Sequence, residues 1–163
     1  MPALNYSDQF APKVESGDKR QTIRALRKRP IKTGDILYHF HGLRHPGCRR
    51  LGYSIAEEVM PIKMHARLLT VPRRVVVKCD GEWRRIGPRT LFELAEDDGF
   101  DSVDAFFAWF NPGNGSQAFR GQLIRWPKSW TPATCPQCGD TSIPTGGLLW
   151  CTSCDHRWHV EGI

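Results

Sequence analysis

The chain has 163 residues, of which 40% are hydrophobic and 25% charged, and its net charge is +6. This composition excludes an intrinsically disordered chain, and the length suits either one domain or one domain with a small metal-stabilised module. No apolar stretch is long enough to cross a bilayer, and the N-terminal residues lack the apolar segment of a signal peptide. We therefore expect a cytoplasmic protein.

Positive charge is concentrated in the part of the chain before Thr131. This part holds 22 of the 23 Lys and Arg residues but only 14 of the 17 Asp and Glu residues. A basic excess in one domain is typical of proteins that bind nucleic acid or phosphate, and it also occurs on solvated surfaces without a partner. Both interpretations stay open at this point.

The same part of the chain is predicted to be mainly β-structure with a few helices. Runs rich in β-branched and aromatic residues, several of them bounded by Gly or Pro, predict strands at 3–6, 21–24, 36–40, 50–62, 73–78 and 119–126. Capping residues and helical spacing of apolar side chains predict helices at 7–16, 89–96 and 102–110. The prediction is an α+β fold.

The predicted strand at 21–24 carries polar side chains that could face one ligand. Because alternate residues of a strand share a face, we expect Thr22 and Arg24 on one side and Ile23 in the core, with Lys19 reaching in from the preceding turn. A hydroxyl, a guanidinium and an ammonium group suit a phosphate or a polar base edge. The alternative is an exposed strand with solvated polar residues.

Further cations in the neighbouring sequence could contact phosphates. The candidate nucleic-acid-binding residues beyond Lys19 are Arg20, Arg24, Arg27, Lys28, Arg29, Arg44, Arg49 and Arg50. Trp83, Tyr38 and Tyr53 could supply stacking faces for bases, or they could belong to the core.

Three motifs follow one another in the chain: Gly17-Asp18-Lys19-Arg20-Gln21-Thr22-Ile23-Arg24, Lys32-Thr33-Gly34-Asp35-Ile36-Leu37 and Ala95-Glu96-Asp97-Asp98-Gly99-Phe100. In this order they resemble the ASCH domain, a relative of the RNA-binding PUA domain. The resemblance spans residues 3 to 126. It implies a small PUA-like β-barrel with flanking helices, a cleft lined by the first motif, and RNA or a nucleotide as the partner.

The resemblance also implies a possible enzyme. Some relatives are amidohydrolases that remove the acetyl group from N4-acetylcytidine, and their catalytic positions match Lys19, Thr22 and Asp98. The acid is Asp here where those relatives carry Glu, so Asp97 and Glu96 remain alternatives to Asp98. Other members are linked to RNA cleavage. We therefore rank RNA or nucleotide binding first, amide hydrolysis second and ribonuclease activity third.

The C-terminal segment 135–163 is predicted to be a zinc ribbon. Two Cys-x-x-Cys pairs separated by a hairpin-length gap can surround one metal ion with four thiolates, and these ligands are Cys135, Cys138, Cys151 and Cys154. A redox pair and disulfides fit less well, because two pairs lie among turn residues and the expected compartment is reducing. His156 and His159 are close enough to replace a cysteine, but surface positions suit them better.

The residues between the two parts are predicted to be a linker. Segment 127–134 contains two prolines and little periodicity, so the expected domains are 1–126 and 135–163. For the ribbon we expect a structural role, with a possible share in docking nucleic acid or a protein partner, and no membrane contact. By resemblance, the combination of such a domain with a ribbon is typical of bacterial and phage proteins.

Overall fold

The computed structural model of the chain describes residues 2–65, 73–110, 118–127, 131–132, 134–140, 142–145, 148–151 and 153–159. The expected mixture of helices and strands is confirmed. In chain order the elements are β1 (Ala3–Tyr6), α1 (Ala11–Glu15), β2 (Gln21–Ala25), β3 (Ile36–His41), β4 (Arg49–Ile55), β5 (Glu58–His65), β6 (Arg74–Cys79), β7 (Glu82–Arg85), α2 (Pro88–Asp97), α3 (Val103–Phe110), β8 (Phe119–Arg125), β9 (Thr131–Pro132), β10 (Ser142–Thr145), β11 (Leu148–Cys151) and β12 (Arg157–His159). No helix in the described part of the chain is both long and apolar enough to span a bilayer.

The chain forms two compact units, and each unit is built from separate segments. Unit 1 contains residues 1–18, 34–55 and 127–163, and unit 2 contains residues 19–33 and 56–126. The predicted ribbon segment therefore groups with the N-terminal residues and with the β3–β4 hairpin.

Unit 1 contains two sheets. In the first, the strand order is β1-β3-β4-β9, with β1 parallel to β3 and the other pairs antiparallel. In its interior, the Tyr6 hydroxyl lies 3.0 Å from His39 Nδ1, and His39 Nε2 lies 2.7 Å from Ser54 Oγ. Strand β9 falls inside the expected linker, where Thr131 and Pro132 pair with Tyr53 and Gly52.

The second sheet of unit 1 is the antiparallel hairpin array β10-β11-β12 in the cysteine-rich segment. Leu149 of β11 is fully buried together with Tyr53 of β4, and Tyr38 and Trp158 pack against them. Arg50 joins the same two sheets, because its guanidinium donates a 2.8 Å hydrogen bond to the carbonyl of Ser142. The cysteine-rich segment and the first sheet consequently share apolar contacts.

Unit 2 is an antiparallel five-stranded sheet of order β2-β8-β5-β6-β7 with two helices. One sheet face is apolar, with Ile23, Ile62, Met64, Val75 and Leu123 all buried. The end of α2 attaches to β2 through Gln21, whose side chain donates a 2.8 Å hydrogen bond to the Leu94 carbonyl. Aromatic rings of α3 and its neighbours form a second cluster, made up of Phe100, Phe106, Phe107, Phe110 and Phe119.

The described strands form three open sheets and no closed barrel, in contrast to the expected PUA-like β-barrel. Closure requires every strand to have two neighbours, whereas β2 and β7 each have one within the five-stranded sheet. Two strand predictions also differ in detail. The single strand expected at 50–62 is divided into β4 and β5 by Ala56 and Glu57, and β7 was not predicted.

Candidate functional site

Lys19 and Asp98 meet as a buried ion pair in unit 2. The Lys19 ammonium lies 2.5 Å from Asp98 Oδ1 and also donates a hydrogen bond to the Asp98 carbonyl oxygen. Each residue is 3% exposed. Glu96 and Asp97, the alternatives considered for the acid, are both exposed. Of the three consecutive acids, Asp98 is therefore the one in contact with Lys19.

The end of α2 explains why Asp98 points inward. Gly99 follows the helix with a φ of +88°, its N–H bonds to the Glu96 carbonyl, and the N–H of Phe100 reaches back to the Ala95 carbonyl. This pattern is a Schellman motif, in which glycine takes the left-handed position without the strain of a Cβ atom. The motif makes Asp98 the capping residue and places the buried Phe100 directly after it.

Burial dominates the electrostatics of this pair. Desolvation raises the pKa of Asp98 above its ordinary value, while the charge and hydrogen bond of Lys19, the charge of Arg24 and the N–H of Ile23 act in the opposite direction. Asp98 is therefore an acid whose proton is held more tightly than in water, next to the amine of Lys19.

The remaining residues of β2 lie on both faces of the strand. Gln21 and Ile23 are buried on the side of α2 and the apolar core, as the alternation predicts. Thr22 is 4% exposed and pairs with the buried Ile124 of β8, so its hydroxyl lies in the protein interior. Arg24 shares the face of Thr22, is half-buried, and acts on the charge of Asp98.

The other predicted nucleic-acid-binding residues divide between the units. In unit 2, Arg20 is half-buried, and the side chains exposed after β2 are Arg27, Lys28 and Arg29. In unit 1, Arg44 is exposed and Arg49 forms an ion pair with Glu15. The hydrogen bond and charge of Glu15 raise the pKa of Arg49 against the opposing effect of desolvation.

Arg50 and two of the three candidate stacking residues have contacts inside unit 1. The Arg50 guanidinium lies over the rings of Phe40 and Tyr53 and donates a 2.6 Å hydrogen bond to the Tyr53 hydroxyl. Tyr53 is 1% exposed, and Tyr38 packs edge-on against it. These rings belong to the core of unit 1. Trp83 of unit 2 is different, because 41% of its surface is exposed.

A group of cations on the five-stranded sheet of unit 2 was not predicted from the sequence. They lie on β5, β6, β7 and β8, and we call them the basic sheet face: Lys63, Arg74, Lys78, Arg85 and Arg120. An alternating pattern was present in part, since Lys63 lies between Ile62 and Met64 and Lys78 lies between Val77 and Cys79. Arg85 lies on β7, which was not predicted, and Lys63 lies one residue beyond the strand predicted at 50–62.

The four predicted cysteine ligands come together in unit 1. The sulfur atoms of Cys135, Cys138, Cys151 and Cys154 all lie within 4.8 Å of one another. The Sγ–Sγ distance is 3.7 Å between Cys135 and Cys154 and 3.5 Å between Cys138 and Cys151. Four sulfurs placed tetrahedrally at about 2.3 Å from a zinc ion would be about 3.8 Å apart. The cluster can hold a metal ion.

The backbone around the cluster favours thiolates. The N–H of Gln137 donates to the Cys135 sulfur at 3.4 Å. Desolvation raises the pKa of the Cys151 thiol, but the N–H groups of Cys154 and Ser153 and the hydrogen bonds of the Cys138 and Cys154 thiols lower it to about 7. Backbone hydrogen bonds also act to lower the pKa of Cys138 and Cys154, but desolvation and the neighbouring cysteines outweigh them, so both pKa values are raised, that of Cys154 to about 12. His156 stacks on Trp158 with 5.2 Å between ring centroids. The side chain of His159 lies outside the described part of the structure.

Comparisons of the chain with protein-family models, with curated proteins and with solved structures found no match.

Proposed function

We propose that this chain is an ASCH-type protein of the PUA-like superfamily that binds a nucleotide, alone or within RNA, beside Lys19 and Asp98. The observation that supports the proposal is their contact. The resemblance assigned both residues to one site, and they are in direct contact although 79 positions separate them. Arg24 adds a guanidinium near the same carboxylate, which suits a phosphate or a base edge.

The cost of burying this pair argues for a role beyond stability. Lysine and aspartate are almost never fully buried without a partner, and even a buried pair often stabilises a protein no better than apolar residues of similar size. Buried groups with perturbed pKa values are typical of binding and catalytic sites. A structural pair is the alternative, and the experiment below separates the two.

The raised pKa of Asp98 favours a second candidate function, hydrolysis of an acylated nucleobase such as N4-acetylcytidine. In this candidate reaction the proton would reside on Asp98, as its raised pKa favours, and Lys19 would act as a neutral amine. Lys19 would then accept a proton from a water molecule or from the Thr22 hydroxyl. The oxygen of that water or hydroxyl would attack the carbonyl carbon of the acetyl group. Asp98 would donate its proton to the leaving exocyclic nitrogen.

The atoms balance in either form of this reaction. Attack by water gives acetate and cytidine directly. Attack by Thr22 gives cytidine and an acetylated threonine, which water then hydrolyses to acetate. Transfer of one proton from Lys19 back to Asp98 restores the starting pair.

A charge-neutral double variant tests the site, because a single replacement would leave one charge buried and cost about 3–5 kcal/mol. In Lys19→Met/Asp98→Asn both charges are removed, and the asparagine oxygen still accepts the N–H of Ile23. Calorimetry with cytidine and N4-acetylcytidine measures binding, and mass spectrometry measures cytidine release. We expect the wild type to bind and the folded double variant to lose binding.

Arg89→Gln is the control, because Arg89 lies on the exposed side of α2 with its side chain 93% exposed. It should bind as the wild type does. Cytidine release by the wild type and not by the double variant would establish the hydrolase, and binding without release would leave a recognition site. Equal binding by the wild type and the double variant would rule out the pair as the site.

For the cysteine cluster we propose a structural zinc ion. Four sulfur ligands satisfy the tetrahedral preference of zinc and leave no position for a reacting water, so the ion would hold the fold rather than catalyse a reaction. The buried contact between Leu149 and Tyr53 would then depend on the metal.

A further inference from the structure

The strand register places five cations on one face of the unit 2 sheet. Arg120 pairs with Lys63, Lys63 with Val76, and Val76 with Arg85, so these side chains form one row across β8, β5, β6 and β7. Residues paired across strands point to the same side of a sheet. Arg74 and Lys78 flank Val76 at two-residue spacing and therefore lie on this face too.

The basic sheet face carries a single sign of charge. Within the four described strands, the register places no Asp or Glu residue on this side. Arg74, Lys78, Arg85 and Arg120 are exposed and Lys63 is half-buried. None of the ion pairs among the described residues involves these five cations, whereas Arg73, Arg89 and Arg125 nearby in the sequence each have an acidic partner.

His65 lies on the same face, where it pairs with Arg74, and its pKa responds to the charges around it. Desolvation, together with the charges of Arg74, Lys63 and Arg120, lowers its pKa below the ordinary value. Three cations from three different strands thus act on one imidazole. These cations act together, and a cluster of like charges attracts molecules of the opposite charge, here polyanions.

Trp83 adds an aromatic surface at the end of the face. It pairs with Lys78, is 41% exposed, and has the Lys63 ammonium 3.9 Å from its ring centroid. An exposed indole beside cations is the combination on which unpaired bases stack while the phosphates are neutralised. A membrane-binding surface would need several apolar anchors, and here Trp83 is accompanied mainly by charged residues.

We propose that the basic sheet face of unit 2 binds single-stranded nucleic acid, with phosphates on Lys63, Arg85 and Arg120 and a base stacked on Trp83. The row crosses four strands, a width of about 15 Å at the usual strand spacing. Its cations cannot all reach one phosphate, so the partner is a polynucleotide rather than a mononucleotide. This surface does not include Lys19 or Asp98. A nucleic-acid strand bound to it would present one of its nucleotides to the proposed Lys19–Asp98 site.

The test measures binding of a fluorescently labelled, unstructured RNA of about ten nucleotides by anisotropy over a series of salt concentrations. The RNA contains no acylated base, so the assay does not depend on hydrolysis. Arg85→Gln should weaken binding and lower the slope of log affinity against log salt by about 0.7, the value for one phosphate contact on a single strand. Trp83→Ala should weaken binding about tenfold or more.

Arg84→Gln is the matched control. Arg84 precedes Arg85 on the same strand and is also exposed, but it pairs with Val77 and so faces the other side. It should keep the wild-type affinity and salt slope. The Lys19→Met/Asp98→Asn variant should also retain RNA binding, which separates failure of this surface from failure of the proposed nucleotide site.

Four results would overturn the proposal: no RNA binding at low salt, equal losses in Arg84→Gln and Arg85→Gln, tighter binding of an RNA duplex than of the single strand, or loss of binding confined to the Lys19→Met/Asp98→Asn variant. Phosphatidylcholine vesicles that contain phosphatidylserine serve as a parallel probe. Vesicle binding without RNA binding would assign the face to an anionic membrane surface instead.

Discussion

At the scale of single residues, the pKa of His65 depends on the positive charge of the basic sheet face. Its pKa is lowered by desolvation and by Arg74, Lys63 and Arg120. Because the folded protein holds the proton less tightly than the unfolded chain, protonation favours unfolding. The free energy of unfolding should therefore fall as the pH drops from the ordinary histidine pKa to the lower value in the folded state.

We predict that Arg120→Gln raises the pKa of His65 towards its ordinary value, since one of the three acting charges is removed. The measurement is an NMR titration of the His65 imidazole, with its signal assigned by loss in His65→Gln. Arg84→Gln, on the other side of the sheet, should leave the pKa unchanged. An unchanged value in Arg120→Gln would show that the charge of Arg120 does not act on His65.

The contact between Lys19 and Asp98 shows what could and could not be predicted at the level of single residues. The resemblance indicated Lys19 and one of three consecutive acids. Which acid faces inward depends on how α2 ends, and adjacent residues at a helix end point in very different directions. The sequence Asp98-Gly99-Phe100 is typical of a Schellman motif and would have favoured Asp98 as the acid that faces inward. It does not indicate which strand the end of the helix contacts.

Among the elements, the pairing of β2 with β8 depends on Gly121. It lies between Ala25 of β2 and Ile62 of β5 in the register. A Cβ atom at this position would overlap the carbonyl oxygen of Arg24 and lie 2.7 Å from a ring carbon of Phe119. Glycine is therefore required for the close approach of these strands.

We predict that Gly121→Ala destabilises unit 2 by about 1–3 kcal/mol, the usual cost of forcing atoms into a packed interior. Urea unfolding monitored by circular dichroism measures the change. Gly47→Ala is the control, because a Cβ at Gly47 would meet no atom within 4 Å, and it should be neutral or slightly stabilising. A Gly121→Ala protein as stable as the wild type would mean that β2 can shift at little cost.

The strands were predicted better than their connections. Alternation and β-branched residues located most of β1 to β6 and β8, because these signals are local. The β6–β7 hairpin was missed although its turn is Asp80-Gly81, with φ values of +50° and +82° at the two positions. Positive φ at both central residues is the type I′ geometry that Asp-Gly favours, so this hairpin was predictable from its turn chemistry.

In the whole molecule, one of the changes between the compact units falls at an expected domain boundary, residue 126, and the others fall within the expected first domain. Unit 1 combines N-terminal, central and C-terminal segments, and the chain passes from one unit to the other at residues 18, 33, 55 and 126. Local composition predicted the cysteine module correctly as a cluster of four potential ligands. It could not indicate that Leu149 would be buried against Tyr53, because that contact joins residues far apart in the chain.

We predict that metal removal by a strong chelator destabilises the first sheet of unit 1 as well as the cysteine-rich segment. Hydrogen exchange measures this, with faster exchange expected for amides of β3 and β4. The amides of β5 and β8 in unit 2 are the internal control and should keep their protection. Faster exchange confined to residues 135–159 would instead support an independently folded ribbon behind a linker, as the sequence analysis expected.

Strand β7 also bears on the solubility of the protein. It ends the five-stranded sheet, so one row of its backbone N–H and C=O groups has no neighbouring strand among those described. All four of its residues are exposed, and three of them are charged: Glu82, Arg84 and Arg85. Charges on an edge strand discourage the addition of strands from other molecules. The arginines of β7 would thus also protect the protein against edge-to-edge aggregation.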